Sequence, residues 1–111
     1  MYTLIESPLF SKLWPEYWSE DQRGEFAAFL AEHPNTGDAI PGTGGVRKIR
    51  WTKQGVGKRG GIRVLYVNHF DDAAILLLTL YAKAQQENAP AHMIRRLKEA
   101  LDGQETSERT S

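Results

Sequence analysis

The chain is 111 residues long, the size of one domain, and that is enough for a single apolar core to fold without cross-links. It has no cysteine, which excludes disulfide scaffolds, thiol catalysis, iron–sulfur clusters and cysteine-ligated zinc together. Fourteen Lys and Arg balance fourteen Asp and Glu, so the net charge by itself argues against a strongly basic nucleic-acid binder.

Tyr2–Glu6 alternates and is β-prone, which predicts a first strand. Ser7-Pro8 then predicts a short helix, with Ser7 as N-cap and Pro8 at the tolerated first position. Leu9, Phe10, Leu13 and Trp14 give that helix an apolar side before Pro15. Met1 to Phe10 has no cationic residue ahead of an apolar stretch, so it does not read as a signal peptide. Ser19-Glu20-Asp21-Gln22 matches a capping box and opens a second helix. Its buried stripe is Phe26, Phe29 and Leu30, and His33-Pro34 ends it.

Asn35–Gly45 reads as a turn-rich loop, followed by a strand over Val46–Thr52. Lys53–Gly60 reads as a flexible connection to a second strand of the hairpin, Gly61–Phe70. A tight turn at Asp71-Asp72 leads into Ala73–Tyr81, which is apolar on both faces and therefore expected inside the sheet. Its apolar run is less than half of the roughly 20 residues a spanning helix needs, and a soluble cytoplasmic protein is the default expectation. Asn88 and Pro90 begin a last helix, whose stripe of Met93, Ile94, Leu97 and Leu101 is a packing face. The expected class is α+β in the order β-α-α-β-β-β-α, a mostly antiparallel sheet packed by helices. One domain spans 1–102, and 103–111 is a polar tail expected to be disordered.

The charge is unevenly placed. From residue 39 to residue 70 there is no acidic side chain, while Arg47, Lys48, Arg50, Lys53, Lys58, Arg59 and Arg63 all fall there. This stretch carries +7 and the rest of the chain −7, so a neutral protein can still present a focused positive face to a polyanion. A solvated edge hairpin made soluble by lysine is the plainer alternative. The four arginines and the seven glycines of the same window tilt against it, because arginine binds phosphate with a planar fork and glycine permits close backbone approach.

Strand alternation sorts these groups. Lys48 and Arg50 point one way while Arg47, Ile49 and Trp51 point the other. Arg63 shares a face with Leu65 and Val67, and antiparallel pairing can set it beside Lys48 and Arg50. Tyr81-Ala82-Lys83 ends the next strand and can reach the edge of the same patch. Cations around a phenol without carboxylates make a poor metal site and a sensible phosphate site, so no metal or cofactor is expected. RNA brings its own nucleophile, the 2′-hydroxyl. Its cleavage needs a base for that proton, cations on the developing phosphorane and an acid for the leaving 5′-oxygen. Crowded cations favour a neutral lysine, so Lys48 or Lys83 can serve as base or acid, with Arg50 and Arg63 as electrostatic clamps. His33, His69 and His92 have separations that fit no metal motif. Trp51 and Tyr66 read as core side chains, and Tyr81 as the aromatic site candidate.

Gly42-Thr-Gly-Gly-Val-Arg-Lys-Ile-Arg50, then Gly57-Lys-Arg-Gly-Gly-Ile-Arg-Val-Leu-Tyr66 and Leu78-Thr-Leu-Tyr-Ala-Lys83, resemble the RelE/ParE superfamily of toxins, closest in look to its HigB-like RelE branch. The resemblance runs in element order from residue 1 to about Leu101. It implies a small α+β toxin of a type II toxin–antitoxin system that enters the ribosomal A site. Such a toxin cuts translated mRNA without metal and leaves a 2′,3′-cyclic phosphate. The partners it implies are the ribosome, mRNA and a cognate antitoxin of helix-turn-helix type, with operator DNA reached only through the antitoxin complex. Residue by residue, it implies catalytic roles for Lys48, Arg50, Arg63 and Lys83, with Tyr81 in place of the family's C-terminal tyrosine. Arg47, Lys53, Lys58 and Arg59 would bind RNA or the ribosome. Where family members carry an arginine just after the lysine, this chain has Ala84-Gln85-Gln86. The alternative is a non-catalytic protein of the same fold, acting on gyrase as the ParE branch does or binding RNA.

Overall fold

A computed structural model describes residues 2–51, 61–71, 73–82 and Ile94. Its elements are β1 (Thr3–Glu6), α1 (Pro8–Leu13), α2 (Glu20–Glu32), β2 (Asp38–Ala39), β3 (Val46–Trp51), β4 (Ile62–Asp71) and β5 (Ala74–Ala82). The helix starts have the expected chemistry. Ser7 Oγ accepts the Phe10 N–H at 3.0 Å to cap α1. At α2 both halves of the capping box form: Gln22 N–H donates to Ser19 Oγ at 3.2 Å, and Ser19 N–H to Gln22 Oε1 at 2.9 Å. A 3-10 turn over Trp14–Glu16, unexpected from the sequence, carries the chain around Pro15. Among the described residues, no helix is long and apolar enough to cross a membrane.

The five strands lie in the order β1-β5-β4-β3-β2. β1 runs parallel to β5 and every other pairing is antiparallel. β5 therefore sits inside the sheet, as its two apolar faces require. The short β2 lies within the stretch expected to be a loop. It is only two residues long, both exposed, and carries no side-chain alternation that would announce it. The Lys53–Gly60 connection and the last helix lie outside the described residues, except that Ile94 is helical and buried.

The sheet has two apolar faces. On one, Phe10, Trp18, Phe26 and Leu30 pack against Ile49, Val64, Tyr66 and Leu80. The other gathers Val46, Leu65, Val67, Leu76, Leu78, Tyr81 and Ile94. Each such side chain taken fully out of water contributes roughly 1.5–3 kcal/mol. The 34–37 loop is tied to the first face through Tyr66, whose hydroxyl accepts Gly37 N–H at 2.9 Å and donates to Pro34 O at 3.0 Å. An added Cβ at Gly37 would lie 2.8 Å from Tyr66 Oη and 2.9 Å from Lys48 O, so only glycine fits there.

A β-bulge in β5 sets the phase of the sheet. Tyr66 pairs with Leu77 but Leu65 pairs with Thr79, leaving Leu78 as the extra residue. Ser7 spans this irregularity: its Oγ donates to Leu78 O at 2.7 Å and its N–H to Leu77 O at 3.0 Å. Continued without the bulge, the Tyr66–Leu77 register would set Leu80 opposite Arg63. With it, Tyr81 is Arg63's partner and Leu80 turns to the helix side.

Candidate nucleic-acid interface

Register brings the basic residues together. Arg50 pairs with Arg63, and Arg63 with Tyr81, so these three form one row across β3, β4 and β5. The next row is Asp38, Lys48, Leu65 and Thr79, so the patch expected to hold no carboxylate has one, from Asp38, as the cross-strand partner of Lys48. Cross-strand partners share a face, and Leu65 and Tyr81 place both rows on the side away from α1 and α2. With strands about 4.8 Å apart, Arg50 and Tyr81 are about 10 Å apart at Cα, and Lys48 is about 7 Å along β3 from Arg50.

Backbone phasing tightens the row. Ile40 N–H donates to Val46 O at 2.9 Å, so the backbone groups of Val46 face β2. Strand alternation then turns those of Lys48 and Arg50 the same way, and Arg50–Arg63 is a non-hydrogen-bonded pair. Such pairs hold their side chains closest, with Cβ atoms roughly 4.5–5.5 Å apart, and like charges set directly opposite destabilise a sheet. Two guanidinium stems held in that relation suit an anion, which turns their repulsion into shared attraction. Arg50 is exposed, and Lys48 and Arg63 are half-buried. Tyr81 is only 8 % exposed; burial raises its phenol above the usual 10.0, and the Arg63 guanidinium opposes that rise. The phenol thus keeps its proton near neutral pH, as a hydrogen-bond donor beside the cations.

Arg47 is not with this group. It lies on the opposite face, where its guanidinium donates to Gly37 O at 2.5 Å and Asn35 O at 3.4 Å, closing the loop before β2. Lys53, Lys58, Arg59 and Lys83 lie outside the described residues. Gly42, Gly44 and Gly45, expected to admit a ligand, all have positive φ in the turn before β3, a backbone requirement in its own right. Trp51 packs on Phe26 and Phe29 with ring centroids 5.3 and 5.2 Å away, and Tyr66 is fully buried, the core roles expected of both. His33 closes α2 and stacks on Phe29 at 4.6 Å. Thr79, half-buried beside Tyr81 on the basic face, was not anticipated; counting back two residues from Tyr81 would have found it.

No protein-family model matches the sequence. Among solved structures, the chain is similar to a mutant of the E. coli toxin RelE in the free state, with two arginines replaced by alanine. The TM-score is 0.57 at 17% sequence identity, covering 78% of this chain and 87% of that one. The likeness is one of architecture, the RelE-like fold, in which the described residues set α1 and α2 against a mostly antiparallel five-stranded sheet.

Proposed function

We propose that this chain is the toxin of a type II toxin–antitoxin system, a ribosome-dependent, metal-independent endoribonuclease of the HigB-like RelE branch that acts in the cytoplasm on translated mRNA. The observation that carries this reading is the Arg50–Arg63–Tyr81 row with Lys48 beside it. The RelE-like fold supports it. In the reaction, Lys48 or Lys83 takes the proton of the 2′-hydroxyl, whose oxygen attacks the adjacent phosphorus. The new bond is 2′-O–P and the broken bond is P–O5′. Arg50 and Arg63 hold the equatorial oxygens of the phosphorane as charge builds on them. Tyr81 or the other lysine returns a proton to the leaving 5′-oxygen, giving a 2′,3′-cyclic phosphate and a free 5′-hydroxyl. Thr79 offers a hydroxyl to the same phosphate.

An antitoxin, expected to be a helix-turn-helix protein, would neutralise the chain by covering this face. The test is induced expression in cells: the wild-type chain arrests growth with cuts in translated mRNA, and Arg63→Ala relieves both. Arrest without such cuts would favour the gyrase-directed, ParE-like reading.

A further inference from the structure

Asp38 sets a carboxylate directly across from Lys48. Its side chain is exposed, yet its backbone is held on both sides. Before it, Gly37 N–H donates to the Tyr66 hydroxyl at 2.9 Å, and Gly37 O accepts the Arg47 guanidinium at 2.5 Å. After it, Ile40 N–H donates to Val46 O at 2.9 Å, which makes Asp38 and Lys48, two residues along, a hydrogen-bonded pair. Such a pair keeps its Cα atoms about 5.5 Å apart. Asp38, Lys48 and Arg50 also line a common groove of about 430 Å³ along the outer edge of β3, so the three side chains address the same space. β2 is two residues long and both are exposed, so its pairing adds little to the core. What it fixes is the place of the carboxylate.

We propose that Asp38 is a positioning residue of the phosphate site, acting through Lys48 to keep that side chain a cation. The proposal rests on the endoribonuclease reading above. The charges that face Lys48 are Arg50, two residues along β3, Arg63, diagonal on β4, and Asp38, directly opposite on β2. Tyr81, farther across the sheet, keeps its proton and adds no charge. Two guanidiniums alone would favour a neutral amine, the form that takes up a proton. A carboxylate at the nearest cross-strand position offsets them. With an RNA phosphate on Arg50 and Arg63, the anion answers their charge and Asp38 is left as the protein's own charge facing Lys48. Lys48 then stabilises the charge that builds on the phosphorane. Of the two lysines in the proposed reaction, the other takes the 2′-hydroxyl proton.

The test is a cycle of variants, read as the rate of mRNA cleavage at saturating protein in a translating extract. Arginine stays protonated, so Lys48→Arg keeps the cation and abolishes proton uptake, and it should cut within about fivefold of the wild type. Lys48→Ala should fall about 100-fold. Asp38→Asn, a substitution at an exposed position, should fall about tenfold in the wild-type background and have no effect beside Lys48→Arg. A Lys48→Arg variant as slow as Lys48→Ala makes Lys48 the base and overturns the proposal. So does a wild-type rate for Asp38→Asn. A loss that persists in the Asp38→Asn/Lys48→Arg double variant also overturns it, because Asp38 then acts on the structure of β2 and not through the charge of Lys48. All three outcomes leave the endoribonuclease reading standing. Absence of cuts from the wild type would overturn that reading and this one with it.

Discussion

Tyr81 joins the core to the candidate site. It is packed among Leu65, Leu76 and Leu78, yet shares a row with Arg63 and Arg50. Replacing it with phenylalanine keeps the packing and removes the hydroxyl that the proposed reaction offers as a proton donor to the leaving oxygen. Tyr81→Phe should cut mRNA about 100-fold more slowly, measured as the cleavage rate in a translating extract, with little change in thermal stability. Burial raises the pKa of Tyr81, and of Tyr66, above 10.0. A raised pKa means the folded state holds the proton more tightly. The corresponding stability is whole below about pH 10 and is lost as pH rises through the folded values. Urea titrations above pH 10 should show a shallower alkaline decline in Tyr81→Phe than in the wild type. Strand alternation in the sequence separates Lys48 and Arg50 from Arg47 and assigns Arg63 its face. Pairing register is not written in alternation, because it depends on turn and bulge geometry.

Among the elements, β5 and the loop before β2 carry the information that the sequence hides. An unbroken alternation along β5 would put Tyr81 on the same face as Leu77, against the helices. The extra residue at Leu78 reverses this, and a hydroxyl seventy-one residues earlier in the chain satisfies its carbonyl. No local sequence signal reports a bond of that span. The helix caps at Ser7 and Ser19 were legible because their hydrogen bonds close within three residues. Gly37 belongs to the hidden class too, since the atoms that exclude a side chain there come from Tyr66 and Lys48. Gly37→Ala should destabilise the fold by about 1–3 kcal/mol, read from the urea midpoint, because the neighbours are a braced phenol and backbone. An unchanged midpoint would mean that the loop shifts freely.

Over the whole molecule the charge is divided, +7 within 39–70 and −7 elsewhere, and among the described residues the fold sets Lys48, Arg50 and Arg63 on one face and Arg47 on the other. A divided neutral protein can bind a polyanion strongly on one side while its remainder limits non-specific adhesion. Lys58 and Arg59 belong to the same window. The double variant Lys58→Ala/Arg59→Ala should weaken ribosome binding and flatten its dependence on salt, with folding stability unchanged. The salt slope of affinity, taken at several ionic strengths, checks this, and an unaltered slope removes both residues from the contact. The sign and position of the charge were readable in composition. Its convergence needed the β3–β4–β5 register. The most direct measurement of whether that convergence performs phosphodiester chemistry is the chemical form of RNA ends from a translating extract. The wild-type chain should leave 2′,3′-cyclic phosphate ends on translated mRNA, and Arg63→Ala should leave none above background. Equal yields of those ends from both chains, or their absence with the wild type, would contradict the account.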